Sequence, residues 1–246
     1  MSLFIQSDVP EVTELAWIFE CITTMPYLQR AHVYKDAQAK GEELNAGTVN
    51  YPLLMAADIL LQNADVVPVG ADQKQHLEFA RDVAEKFNRL FGETFKIPEP
   101  LILEDVKTIP GTDGKKMSKS YGNTIALFAE DEEITKEVMS IVTDSKPPEE
   151  PKEPEKDNVF ALHKFFSNDK LPDIEKRYKD GGMSYKESKE ILIKNMISFI
   201  TPLRKKREEV SKDKDAVLKI LENGGNIAHL TAKAKMMEVR ERTGLL

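Results

Sequence analysis

The sequence predicts an α/β chain in which a short, incomplete parallel sheet is followed by an all-α helical region, with the change near residue 130. Three observations carry this. "ADVVPVG" (Ala64–Gly70) is a β-branched run ending on glycine, and a long helical period follows it at once, with Leu77, Ala80, Val83, Ala84 and Phe87 three and four apart. Only Leu3–Ser7, Ala64–Gly70 and Pro100–Val106 read as strands, so the sheet has few members. Beyond residue 130 every periodic segment is helical.

Taken in order, "LFIQS" (Leu3–Ser7) reads as a strand, and Asp8-Val9-Pro10 opens a helix over 11–24. A second helical period covers 51–62. Ala64–Gly70, its glycine turn and the next helix form the strand–turn–helix unit that places ligands at the carboxyl end of a parallel strand. "PLILEDV" (Pro100–Val106) supplies a further strand. After a helix over 131–142, the Pro- and charge-rich "DSKPPEEPKEPEKD" (Asp144–Asp157) reads as a linker or exposed loop. Helices then cover 158–167, 184–200, 202–222 and 226–243, Pro202 marking a start and Gly224-Gly225 a stop. The expected division is into 1–130 and 131–246.

The 246 residues are long enough for a real core, and 41% hydrophobic with 31% charged is ordinary globular composition. No apolar run reaches the roughly 18–20 residues needed to span a bilayer, so no membrane partner is expected. The single cysteine, Cys21, allows no disulfide within the chain and suits a reducing, cytoplasmic setting. With four scattered histidines it cannot build a Cys/His zinc site, and no structural metal is expected. A net charge of −7 argues against indiscriminate nucleic-acid binding, yet residues 185–246 carry 14 Lys and Arg against 9 Asp and Glu. Such a local basic surface fits either a docked structured RNA or ordinary solvated helix faces.

The densest chemistry lies in "GTDGKKMSKSYGN" (Gly111–Asn123). Lys115, Lys116 and Lys119 are crowded among three glycines, an arrangement that gains little unless an anion sits there. Lys116 and Lys119, three apart on a flexible loop, suit a polyphosphate and the charge that develops as pyrophosphate leaves. A prescribed string such as Lys116-Met117-Ser118-Lys119-Ser120 arises by chance on the order of once in ten thousand chains of this length. On a helix, Tyr51, Met55 and Asp58 share one stripe. Asp58 sits in the apolar run "LLMAADILL", so it either faces solvent or accepts a specific hydrogen bond. In "VGADQKQH", Asp72 is placed to cap the next helix, and His76 one turn on is structural.

The lysine string is similar to the Lys-Met-Ser-Lys-Ser motif of class I aminoacyl-tRNA synthetases. Its flanks, above all "YPLLMAADILLQNADVVPVGADQKQHLEFARDVAEKFN" (Tyr51–Asn88), resemble the bacterial-type tryptophanyl-tRNA synthetases, and the resemblance covers essentially the whole chain. It implies a Rossmann-like catalytic portion followed by a helical, anticodon-binding domain. It implies ATP with Mg²⁺, L-tryptophan and tRNA(Trp) as partners, and a homodimer. It further implies that Lys116 and Lys119 are catalytic, and that Gly70, Asp72, Lys116, Met117, Ser118 and Lys119 bind ATP, with Met117 against the adenine. Tyr51, Met55, Asp58, Val67, Val69 and Gln73 would bind tryptophan, Asp58 accepting the indole N–H. A site built around one ligand N–H rejects analogues lacking it by roughly 10⁴–10⁵, although a phenolic O–H could also donate to a carboxylate.

The family carries a second ATP-binding motif of the His-Ile-Gly-His type near its N-terminus, and these 246 residues contain none. The expectation is that the leading strands of the nucleotide-binding fold are lacking and that this polypeptide alone has little or no aminoacylation activity. A tyrosyl-type relative and a non-catalytic, RNA- or protein-binding remnant are the alternatives.

Overall fold

The computed structural model describes residues 1–70, 73–102 and 109–246, without the side chains of His32, Val33 and Asp36. Its contacts divide the chain into two compact units, Met1–Lys107 with Lys214–Leu246, and Thr108–Asp213. The division does not fall at residue 130: the last helix returns to the first unit, and the lysine-rich segment belongs to the second.

In the first unit, helices α1 (Glu11–Ile22), α2 (Met25–Leu28), α3 (His32–Lys40) and α4 (Ala46–Leu61) precede strand β1 (Val66–Pro68). Helix α5 (Lys74–Phe91), strand β2 (Glu99–Leu101) and, much later, α10 (Lys214–Thr243) complete it. The periodic residues Leu77, Ala80, Val83, Ala84 and Phe87 are all buried in α5. They pack with Leu15 and Phe19 of α1, Leu53, Ala57 and Leu60 of α4, and Ala232 and Met236 of α10. Phe19 meets Phe87 and Phe95 edge-on, at centroid distances of 6.3 and 5.5 Å. Helix α4 starts five residues before the periodicity suggests, because the Asn45 side chain accepts the Thr48 N–H at 2.8 Å and caps it.

β1 and β2 pair in parallel, with Val66 opposite Glu99 and Pro68 opposite Leu101. Val66 and Leu101 stay exposed while Val67 packs on the helical core, so one face of this small sheet is covered and the other open. The first strand-like run does not form a strand. Residues 6–8 make a single 3₁₀ turn, and the backbone of Leu3 lies against Gly224 of α10, so close that a Cβ there would strike it. Gly224-Gly225 therefore does not stop a helix. α10 runs straight through, and the absent side chains are what allow the N-terminal segment to approach.

The second unit holds α6 (Asp131–Ser140), α7 (Asn158–Phe166), α8 (Leu171–Asp180) and α9 (Tyr185–Ser211). Ile134, Val138, Val159, Leu162, Leu192 and Met196 form its main core. Pro202 does not begin a helix; it lies inside α9. It and Ser198, whose carbonyl loses its helical donor, are both exposed, where water can replace the bond. The Pro-rich stretch is not a free linker either. Lys152 is buried, its N–H bonded to the Tyr178 carbonyl at 2.7 Å and its ammonium to the Pro147 and Glu150 carbonyls.

A buried polar chain ties this unit together. The Ser188 carbonyl, 3.2 Å from His163 Nε2, can only accept, so Nε2 carries the proton and Nδ1 accepts from Ser167 Oγ at 2.6 Å. Tyr178 joins Ser188 Oγ at 2.6 Å and donates to Asp157 at 3.3 Å. Burial holds His163 down at about 4 and pushes Asp157 up.

Candidate functional site

In the first unit, Tyr51, Met55 and Asp58 lie half-buried along α4, as their spacing requires. The Tyr51 hydroxyl bonds His76 Nε2, and His76 Nδ1 faces Gln73 Oε1 at 2.8 Å, so α4 and the start of α5 share a polar chain. Gln73 in turn donates its N–H to the Gly70 carbonyl at 2.9 Å, closing the turn after β1. Val67 and Val69 pack against the core at the end of that strand. Asp72, placed by the sequence at the helix cap and in the ATP set, lies outside the described residues.

Asp58 accepts a hydrogen bond from Gln6 Nε2 at 2.6 Å. Burial raises its carboxyl above the usual range, and the Gln6 bond offsets part of that rise. Its pocket, about 210 Å³, is lined by Phe4, Gln6, Val9, Val12 and Gln62, but by none of Tyr51, Met55, Val67, Val69 and Gln73. Gln6 carries no signal in the sequence, since it lies 52 residues from Asp58 on a segment that reads as a strand.

In the second unit, residues 109–123 form a tight hairpin. Pro110 and Lys116 bridge antiparallel, Gly111 N–H reaches the Lys115 carbonyl at 2.7 Å, and Met117 N–H reaches the Ile109 carbonyl at 2.9 Å. Lys119–Tyr121 make one 3₁₀ turn that ends on Gly122 in the left-handed region, φ 64°. Lys116 and Lys119 are exposed and, among the described residues, form no ion pair. Ser118 Oγ pairs with Ser120 Oγ at 2.8 Å. The Met117 side chain faces an apolar cavity of about 330 Å³ that it lines with Ile109, Leu127, Phe166, Met196 and Phe199. Among the described residues no three His, Cys, Asp or Glu side chains gather as a metal site, and no helix is long and apolar enough to cross a membrane.

A parallel strand–turn–helix unit, a half-buried carboxylate on the preceding helix and a Lys-Met-Ser-Lys-Ser hairpin define a class I aminoacyl-tRNA synthetase. The sequence profile of the tRNA synthetases class I (W and Y) matches residues 1–201. The tryptophan–tRNA ligase of Fusobacterium nucleatum is 47% identical over 247 residues, covering 100% of this chain and 76% of that protein. That of Rhodopirellula baltica is 44% identical, covering 99% of this chain and 77% of that protein. The crystal structure of tryptophanyl-tRNA synthetase from Campylobacter jejuni, complexed with ADP and tryptophan, superposes with a TM-score of 0.85 at 42% identity, over 98% of this chain and 76% of that one. The chain belongs to the tryptophan–tRNA ligase family, and it spans about three quarters of the length of these relatives.

Proposed function

We propose that this chain carries the tryptophan-selecting and pyrophosphate-stabilising parts of an enzyme that joins L-tryptophan to tRNA(Trp) through tryptophanyl-adenylate. The observation that carries the reading is the hairpin: a backbone fixed by hydrogen bonds presents two ammonium groups, Lys116 and Lys119, to solvent with no ion-pair partner among the described residues. In the first step the tryptophan carboxylate attacks the α-phosphorus of ATP and pyrophosphate leaves. Lysine charge near the leaving oxygens stabilises what develops there. In the second, the terminal ribose hydroxyl of the tRNA attacks the activated carbonyl. Neither step needs a protein nucleophile, so positioning and charge carry the rate. Mg²⁺ enters with ATP as part of the substrate complex.

Selectivity rests on Asp58. Its carboxylate, half-buried and already accepting from an amide N–H, suits the indole N–H; the family resemblance adds Tyr51, Met55, Val67, Val69 and Gln73 as contacts, although none of them lines the cavity beside Asp58. Gly70, Asp72, Met117 and Ser118 complete the nucleotide set. The Campylobacter relative, crystallised with ADP and tryptophan, supports both ligands. The surplus of Lys and Arg over Asp and Glu in residues 185–246 supports tRNA docking, and the open face of the β1–β2 sheet supports pairing with a second copy. A cytoplasmic location follows from the same reading.

The test is ATP–pyrophosphate exchange with L-tryptophan. The 246-residue polypeptide by itself is expected to exchange little or not at all, since it has no His-Ile-Gly-His-type motif. Exchange at the rate of a longer relative contradicts that. Binding of L-tryptophan and of inorganic tripolyphosphate, measured separately, tests the two parts of the proposal on this chain.

A further inference from the structure

The lysine hairpin contains one polar side chain that water does not reach. Asn123 is 2% exposed, although its neighbours Tyr121 and Gly122 are exposed. A buried amide is costly unless all its groups are bonded, and here they are. Oδ1 accepts the Ser118 N–H at 2.8 Å. The two Nδ2 hydrogens go to Asp113 Oδ1 at 2.7 Å and to the Lys116 carbonyl at 3.1 Å. The Asn123 carbonyl accepts the Thr112 N–H at 3.0 Å. These bonds grip the backbone on both sides of Met117, between the two lysines assigned to pyrophosphate.

Room for the amide comes from Gly111. Its φ is not in the left-handed region, so the glycine is not there for its conformation. A Cβ at 111 would instead overlap the Asn123 side chain and come within 2.8 Å of the Asn123 carbonyl oxygen. Asp113 completes the arrangement. Its carboxylate takes the Asn123 amide and the Lys115 N–H at 3.0 Å, and these bonds hold its carboxyl below the usual range.

We infer that Asn123, seated in the space left by Gly111, is the positioning residue that sets the backbone of the Lys116–Lys119 loop for its anion. Asn123 touches no substrate; it acts through the placement of Lys116 and Lys119. The inference rests on the proposed role of those lysines, and its first measurement needs no ligand.

Residue-resolved amide exchange on the full 246-residue chain gives that measurement. In Asn123→Ala the Ser118 amide, which loses its side-chain acceptor, exchanges about tenfold to a hundredfold faster, while α4 and α5 keep their protection. Gly111→Ala gives the same pattern, and the double variant is no worse than either single one, because both empty the same contact. Asn123→Asp separates the two halves of the amide. It keeps an acceptor for the Ser118 N–H and loses both donors, so Ser118 stays protected while Lys115, bonded to the Asp113 carboxylate that loses its Asn123 partner, loosens. Calorimetry with inorganic tripolyphosphate follows, and Asn123→Ala is expected to bind it at least tenfold more weakly at a temperature where the variant remains fully folded. Unchanged exchange in Asn123→Ala, additive loss in the double variant, or tripolyphosphate affinity equal to that of the wild type overturns the inference. If the wild type itself binds no tripolyphosphate, the role proposed for the lysines falls, and positioning for an anion falls with it. The exchange data then still report whether Asn123 holds the loop.

Discussion

On α4 and at the start of α5 the polar side chains assigned to tryptophan have partners inside their own unit: Asp58 with Gln6, and both Tyr51 and Gln73 with His76. In the hairpin 109–123 the arrangement is reversed, with the backbone tied down and Lys116 and Lys119 left facing water. The difference follows from what each region is proposed to recognise. A neutral indole N–H offers one weak donor, so the carboxylate that takes it is half-buried and oriented in advance. A polyphosphate offers several charges at long range, so two mobile ammonium groups on a fixed stem suffice.

Breaking the two units apart gives the largest expected effect. Phe19→Ala removes a ring at the centre of the first core and is expected to cost about 3–5 kcal/mol. Amide protection should fall across 1–107 and 214–246 while α6, α7 and α9 keep theirs. Uniform loss across both units contradicts their independence.

Next comes pH. His163 has its folded value lowered to about 4, against roughly 6.5 unfolded. The neutral ring is the native form, so its contribution is full above pH 6.5 and is lost as pH falls through that range towards 4. The loss is on the order of 2–3 kcal/mol. Asp157, raised by burial, works the other way, contributing more as it protonates. The comparison that isolates the histidine is therefore the midpoint of the wild type minus that of His163→Gln. It should shrink on acidification from pH 7 to pH 4, and a constant difference contradicts the assignment.

At the α4 cluster binding and stability should part company. Asp58→Asn keeps an acceptor for Gln6 and removes a charge whose burial is unfavourable, so the thermal midpoint holds or rises. Tryptophan affinity falls roughly 10- to 100-fold, the value of a charged acceptor. The smallest effect belongs to the exposed lysines. Lys116→Ala and Lys119→Ala change stability by less than about 0.5 kcal/mol, and each weakens tripolyphosphate binding about tenfold, as calorimetry can check.

Much of this is legible in the sequence, and the failures have a common origin. The α5 stripe and the β1 run are local signals, and each folds as its spacing indicates; the lysine string is legible by its residues, but it folds as a hydrogen-bonded hairpin and not as a flexible loop. Gly224-Gly225, Pro202 and Leu3–Ser7 fold otherwise than their local sequence indicates, because their meaning depends on distant neighbours or on exposure. Gly224 admits the backbone of Leu3 and Gly225 the side chain of Asp8, each more than two hundred positions away, and these contacts take Leu3–Ser7 out of any sheet. Lys152 looks like part of a charged linker until α8 supplies the carbonyl of Tyr178. In the site, Asn123 lies within Gly111–Asn123 and Gln6 within the strand-like run Leu3–Ser7. Neither type of residue announces itself, since a polar amide is ordinary on a surface and informative only once its burial or its partner is known.

Titration of L-tryptophan and L-tyrosine into the 246-residue chain and its Asp58→Asn variant tests the central claim most directly. The account predicts saturable tryptophan binding, tyrosine binding at least a hundredfold weaker, and a marked loss of tryptophan affinity in the variant. Equal affinity for the two amino acids, or tryptophan binding that ignores Asp58→Asn, contradicts it.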